Sequence, residues 1–264
     1  MKVLSYNIYG VKNTNDLIPK WDIRQKNIER ILNEILKDNE LKVCCFQEVN
    51  ENNMELLSII LSNNNFKILD KFSMKTESIN QYNIIAIRND KNIKINKVFC
   101  LPHGKDDMYK SVNEQVIDYN MSDYRTTVFV LFEYFNKRYL IGCIHTDYIS
   151  TEGKIKGTVK SLNYMDSINS DYKLIIGDMN MVSHMSEVYN ILKQNSNYVT
   201  ISRNKCFKVS DNSWHGYGIM EQVNVDFAFI EKQLKEKYDY EIIKQSNMLD
   251  EGSDHRPIVL TILD

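Results

Sequence analysis

Apolar residues recur along the chain with two different spacings. Between Trp21 and Asp38 they fall at Ile28, Ile31, Leu32, Ile35 and Leu36, the 3.6-residue spacing of a helix with one buried face. The run that follows, Leu41-Lys42-Val43-Cys44-Cys45-Phe46, is too short for a helix and almost continuously apolar, as in a strand buried on both faces. Lys2 to Ile8 reads as a first strand. A second helix is expected over Asn53 to Leu61, then strands near Phe66 to Phe72, Asn83 to Arg88 and Ile93 to Leu101. Thr126 to Tyr134 and Arg138 to His145 are separated by Phe135-Asn136-Lys137, which predicts an antiparallel hairpin. A helix over Lys154 to Ile168, a strand at Lys173 to Ile176, a helix at Glu187 to Gln194, and strands at Val223 to Ile230, Tyr240 to Gln245 and Pro257 to Ile262 complete the reading. Hairpins mixed with covering helices imply two packed sheets with helices outside, an α/β sandwich.

Polar residues interrupt this pattern at the ends of the strands. Asn7 ends the first strand, Gln47 and Glu48 the second, and His145 the hairpin. Asp178 and Asn180 follow Leu174-Ile175-Ile176-Gly177, Asp226 breaks the run to Ile230, and Ser253-Asp254-His255 precedes the last strand. Strand ends gathered at one edge of a sheet form a rim where polar groups can meet a ligand while the core stays dry. Taken singly, each has an ordinary explanation: Asn7 can cap a turn, Glu48 can open a helix, Gly177-Asp178 can be a turn, and His145 can be a satisfied half-buried histidine. Asp226 is different, because an unpaired carboxylate inside an apolar strand costs several kcal/mol. It requires a partner.

Taken together and in order, the strings Leu4-Ser5-Tyr6-Asn7-Ile8, Phe46-Gln47-Glu48-Val49, Ile144-His145-Thr146, Ile176-Gly177-Asp178-Met179-Asn180, Val225-Asp226-Phe227 and Ser253-Asp254-His255-Arg256-Pro257 resemble the motif set of the endonuclease/exonuclease/phosphatase superfamily, which includes DNase I. The resemblance runs over nearly the whole chain and implies a four-layer α/β sandwich in which two mixed or antiparallel sheets are flanked by helices. It implies a Mg²⁺-dependent phosphodiesterase, with Mn²⁺ a possible substitute. A hard cation of this kind prefers oxygen ligands, here Glu48 supported by Asn7 and Asp254. By the same resemblance Asp178 positions or deprotonates the attacking water and Asn180 donates to a phosphate oxygen. His255 meets the scissile phosphate with Asp226 on its other ring nitrogen, and that pairing supplies the partner Asp226 needs. His145 resembles the histidine of the DNase I, sphingomyelinase, 5-phosphatase, deadenylase and tyrosyl-DNA phosphodiesterase branches, and Arg125 an arginine that contacts a substrate phosphate.

The sequence departs from the pattern in three places. The leucine usual after a Thr-His pair is absent from Ile144-His145-Thr146-Asp147, Gln81 falls near the place of a glutamate that steadies the first histidine, and Met181-Val182 replace the aromatic and basic flank of the inositol phosphatases. Lys105, Lys110, Lys154, Lys156 and Lys160 are candidates for a backbone-tracking patch, and Tyr148 and Trp214 for base stacking; His215 is assigned no role.

Composition sets the remaining limits. The 264 residues are 43% hydrophobic, carry only 3 Pro and 9 Gly, and contain no linker-like stretch or repeat, so one domain spanning 1–264 is expected. A formal charge of -2 excludes bulk attraction of polyanions, so a nucleic-acid ligand needs a local basic surface. No apolar run approaches the roughly 18 residues of a membrane span, and no signal peptide is visible, so a soluble, cytoplasmic protein is expected. Five cysteines, with Cys44, Cys45, Cys100 and Cys143 in strand-like contexts, read as reduced buried thiols. The substrate expected is a phosphodiester in nucleic acid or a nucleotide-like ester. The alternatives are a phospholipid or sugar-phosphate ester, or a non-catalytic binding module.

Overall fold

The computed structural model describes residues 1–9, 18–74, 81–104, 117–182, 185–202, 212–218 and 222–263. Its strands and helices follow the chain as β1 (Lys2–Asn7), α1 (Trp21–Ile35), β2 (Leu41–Asn50), α2 (Glu51–Asn63), β3 (Phe66–Met74), β4 (Gln81–Arg88), β5 (Ile93–Pro102) and β6 (Thr126–Tyr134). They continue as β7 (Lys137–His145), α3 (Thr151–Asp166), β8 (Tyr172–Asp178), α4 (Ser186–Gln194), β9 (Tyr198–Ile201), β10 (Asp226–Glu231), β11 (Tyr238–Ile242) and β12 (Ile258–Ile262).

Alternation along the strands divides the interior into layers. In β1 and β2, Val3, Val43 and Cys45 face a core shared with Val128, Ile141, Leu174 and Ala228 of the second sheet. Their neighbours Leu4, Tyr6, Cys44 and Phe46 face the opposite way, onto Ile28 and Leu32 of α1 and Leu57 and Ile60 of α2. A third cluster joins Phe129, Leu140, Ile175 and Phe229 to Leu162 and Met165 of α3 and Val188 and Ile191 of α4. The order is therefore helices, sheet, sheet, helices, and both sheets are covered on both faces, which accounts for their near-continuous apolar sequences.

Each sheet has six strands, ordered β11-β12-β1-β2-β4-β3 and β5-β6-β7-β8-β10-β9. Each contains one parallel pair, β1 with β2 and β7 with β8, and the other pairings are antiparallel. Helix α1 makes the first parallel crossover and α3 the second, as parallel neighbours require.

The sequence-derived elements differ from these in detail. The hairpin turn is the two residues Phe135-Asn136, both with positive φ (47° and 60°), while Lys137 already pairs with Tyr134. Positive φ at both positions matches the twist of the flanking strands. Val223 does not belong to β10; it forms an isolated bridge with Trp214, and β10 starts at Asp226. Strand β9, four residues long, has no sequence signal of its own and was not expected. Helix α2 starts two residues earlier than Asn53, because Asn50 caps it by accepting from Asn52 and Asn53 N–H while Asn53 Oδ1 accepts from Asn50 N–H. Cys44, Cys45 and Cys143 are buried free thiols and Cys100 is partly buried. Among the described residues no helix is long and apolar enough to cross a membrane.

Candidate active site

Strand polarity brings the polar residues to one edge. Parallel neighbours end on the same side, so β1 and β2 deliver Asn7 and Glu48 together, and β7 and β8 deliver His145 and Asp178, which are register partners. Antiparallel strands start where these end. Asp226 begins β10 directly opposite Asp178, Arg125 immediately precedes β6, and Asp254 and His255 lie just ahead of β12. The edge forms a cleft of about 290 Å³ whose walls include Glu48, Arg125, His145, Asp178, Asn180, Asp254 and His255. Asn7 and Asp226, two more of the polar strand-end residues, stand behind this wall and hold it.

Glu48 reaches the cleft through an irregularity in β2. Its φ is +56°, and the β2–β4 register shifts between Phe46 and Val49, as at a β-bulge. A non-glycine residue in this region costs about 1–2 kcal/mol, and the bulge re-aims the side chain. Asn7 Nδ2 then donates to Glu48 Oε1 at 2.9 Å and to Asp178 Oδ2 at 3.0 Å, while its Oδ1 accepts from Tyr9 N–H at 3.0 Å. The amide thus presents nitrogen, not oxygen, to the carboxylates, so in this arrangement Asn7 clamps them from behind. Burial raises the Glu48 carboxyl above its ordinary range, and the neighbouring Asp254 raises it further. Two carboxylates that oppose each other's charge in a cleft are a donor set suited to a hard divalent cation. Close groupings of acidic and histidine ligand atoms occur at Glu48, His145 and Asp178, and again at Asp178, Asp226 and His255.

Their surroundings push the two histidines in opposite directions. Burial by itself pushes His255 down, but Asp226, Asp178 and Asp254 together hold it well above the ordinary histidine value. Its Nδ1 meets Asp226 Oδ2 at 2.8 Å, leaving Nε2 turned to the cleft, 3.7 Å from Asp178 Oδ2. His145 is driven well below the ordinary value by burial and then by the Arg125 guanidinium. Arg125 Nη1 lies 3.0 Å from His145 Nδ1, and His145 Nε2 lies 3.5 Å from Asp178 Oδ2. A neutral ring protonated on Nε2 satisfies both neighbours. Asp178 itself is pushed up to about 7, chiefly by burial, against the opposing pull of His255. Its Oδ1 accepts from Asn180 N–H at 2.8 Å, and Asn180 Nδ2 donates to Thr146 O at 3.0 Å.

Several sequence expectations change here. Gln81 does not serve His145: its Nε2 donates to Glu48 Oε2 at 3.3 Å, and the charged neighbour of His145 is Arg125. Arg125 is 3% exposed and held by Asp123 at 3.1 Å, a carboxylate that no motif signalled. Asp147, at the departure from the usual leucine, ties the loop carrying Arg125 to the end of β7 by accepting from Ser122 N–H and Ser150 N–H. Trp214 lines the cleft, but its indole N–H is directed to Asp254. His215 is buried against Ser253 O and Tyr217 N–H, a structural role. Of the lysines, Lys156 pairs with Glu152 and Lys160 donates to Gly104 O, so part of the expected basic patch is engaged locally. Lys105 and Lys110 lie outside the described residues. Arg24 was missed altogether. From α1, and fully buried, it donates to the backbone oxygens of Ile8, Tyr9 and Gly252, tying together the segments that carry Asn7 and Asp254.

No protein-family profile matches this sequence, and no curated protein matches it either. The likeness is in three dimensions. An endonuclease/exonuclease/phosphatase from Bacteroides vulgatus aligns with a TM-score of 0.78 over 99% of this chain and 98% of its own, at 17% identity. The chain has the endonuclease/exonuclease/phosphatase fold. Two further structures share this fold at lower identity. The mannosyl-6-phosphatase of Bacteroides thetaiotaomicron aligns with a TM-score of 0.76 over 100% of both chains at 11% identity. TDP2 from D. rerio, complexed with a single-strand DNA product, aligns at 0.71 over 100% of this chain and 99% of its own at 12% identity.

Asp226 offers a direct check of the charge arrangement. Asp226→Asn should lower turnover by about 10²-fold, and the His255 imidazolium should titrate at lower pH because its nearest carboxylate is gone. Thermal unfolding should move only slightly, since the backbone groups of Asp226 keep their bonds to Ser213 Oγ and Tyr240 Oη. Steady-state rates and the imidazole NMR titration measure these effects; unaltered turnover would remove the role.

Proposed function

We propose that this chain is a divalent-metal-dependent phosphoesterase, using Mg²⁺ or in its place Mn²⁺, and that it hydrolyses a phosphodiester in nucleic acid or a nucleotide-like ester. The observation that carries this reading is the meeting of a charged His255 and a buried Arg125 with Glu48, Asp178 and Asp254 at one small cleft. Cationic donors beside carboxylates are what a phosphate ester, an activated water and a cation need in common.

Glu48 and Asp254 would hold the ion, with Asn7 fixing the Glu48 carboxylate. When bound, the ion supplies positive charge to a non-bridging phosphate oxygen. The remaining work belongs to the chain's own side chains. Asp178, whose Oδ1 is fixed by Asn180 N–H, accepts a proton from the water and aims it in line with the scissile bond. Neutral His145 bridges Arg125 and Asp178 along the edge of the second sheet. His255 donates from Nε2 to the phosphate, its charge held by Asp226. Arg125 is a second anion donor, and its buried Nε–H meets no acceptor among the described residues. Asn180 has one amide hydrogen on Thr146 O and a second to give to a phosphate oxygen.

The DNA product held by the TDP2 structure supports a nucleic-acid substrate. A second reading, a sugar-phosphate monoester, draws support from the small cleft and from the likeness to a mannosyl-6-phosphatase. A purified-protein screen with Mg²⁺ or Mn²⁺ should separate them, using plasmid, single-stranded DNA, RNA, phosphotyrosyl-DNA, sphingomyelin, inositol phosphates and hexose 6-phosphates. Nucleic acid should lose affinity steeply with added salt, whereas a small sugar phosphate should not. Activity must require added metal and disappear in His255→Ala. Glu48→Gln should raise the metal concentration for half-maximal rate by about tenfold or more. Rates that persist in EDTA or in His255→Ala would overturn the proposal.

A further inference from the structure

The segment after residue 212 is built onto the Asp254 loop by a short backbone ladder. Trp214 forms antiparallel bridges with both Val223 and His255. Around it, His215 N–H donates to Asp254 O at 2.9 Å and Arg256 N–H to Ser213 O at 2.7 Å. The indole ring is fixed as well as the backbone. Gly216, with φ +50°, lies beneath it so closely that a side chain there would come within 3.1 Å of indole Cζ2. From this fixed position the indole Nε1–H donates to Asp254 Oδ2 at 3.1 Å, while Ser253 Oγ donates to the other carboxylate oxygen at 3.3 Å.

We propose that Trp214 is the positioning residue for Asp254, its neutral indole N–H holding that carboxylate in the orientation that receives a divalent cation. The inference rests on the reading of Asp254 as a metal ligand. The chemistry of the donor supports it: an indole N–H orients a carboxylate without neutralising it, so the full negative charge stays available to a cation. Glu251, three positions earlier in the same loop, shows the contrasting use. It is paired at 3.1 Å with Arg256, and its charge is spent inside the protein.

The chain has two tryptophans, so Trp21→Phe leaves Trp214 as the single indole reporter. In that protein Mn²⁺, which is paramagnetic, should quench the remaining fluorescence along the same binding curve that calorimetry records. Trp214→Phe keeps an aromatic ring and removes the N–H. It should weaken Mn²⁺ binding about tenfold, in the range found for residues that orient metal ligands, with little change in the unfolding temperature measured in EDTA. Mn²⁺ should then raise the unfolding temperature less in Trp214→Phe than in wild type. If calorimetry shows Mn²⁺ binding but the indole is not quenched, or if Trp214→Phe binds as tightly as wild type, the positioning role is wrong and the metal reading stands. If wild type binds no Mn²⁺, both fail. Should Trp214→Phe not fold, the quenching of the Trp21→Phe protein decides the matter.

Discussion

Asp178→Asn should reduce kcat by about 10³-fold, within the range for loss of a positioned acid–base group, while the protein still folds. The carboxylate is the shared acceptor of the site: Asn180 N–H and Asn7 Nδ2 donate to it, and both histidines face it. An amide in its place has one oxygen for these donors. If that oxygen meets Asn180 N–H, the new NH₂ faces Asn7 Nδ2; if it is reversed, the NH₂ faces the Asn180 N–H. One donor is therefore left without an acceptor, at about 1–3 kcal/mol. Against this, burial penalises the carboxylate enough to push it up to about 7, and the amide removes that charge. The two effects oppose each other, so stability should change far less than rate. Single-turnover kinetics with a thermal melt distinguishes the cases, and an unchanged rate would transfer the water-orienting role elsewhere.

The second large effect is on the fold itself. Gly177→Ala should destabilise the protein by about 4 kcal/mol or more, the range reserved for named structural defects, lowering the melting temperature by roughly 8–16 °C for a chain of this size. Gly177 faces Ile144 across the parallel pair, and an added Cβ would stand 2.0 Å from the Ile144 carbonyl oxygen. That oxygen belongs to the backbone of β7, which is paired on its other side with β6, so it cannot retreat without breaking a ladder. Gly142, in the neighbouring strand β7, makes a useful control. An added Cβ there meets the edge of the Phe129 ring at 2.8 Å, a side chain that can tilt, so Gly142→Ala should lose distinctly less. Equal melting temperatures for the two variants would show that the close approach at Gly177 is relieved in solution. The glycine of the Gly177-Asp178 pair is thus required by sheet packing, and the aspartate after it by chemistry.

Much of this site was legible because its signals are local. A strand buried on both faces reads as an apolar run, and a polar residue at its end is conspicuous against that run; Asn7, Glu48, His145 and Asp178 were found this way. Asp226 was found by its cost; that His255 is its partner was implied by the family resemblance, and the two meet in the structure. What stayed hidden depends on residues far apart in sequence. Arg24 reads as the polar face of an amphipathic helix, yet it is fully buried and bonds Gly252 O across 228 positions. Asp123 reads as a loop acid, Gln81 as a weak match to another role, and Trp214 as a stacking aromatic. Each acts through directional bonds that no periodicity encodes.

The amino-acid sequence by itself determined every strand but β9, the helices that cover them and the roster of polar strand ends, because burial period and the cost of an interrupted core are properties of neighbouring residues. Only the tertiary structure decided which side chains face the cleft and which brace them, the left-handed backbone that aims Glu48, and the opposite directions in which His145 and His255 are shifted. Those depend on distance and burial between groups brought together by two parallel crossovers, and the Coulomb and desolvation energies that set them exist only once the sheets have packed.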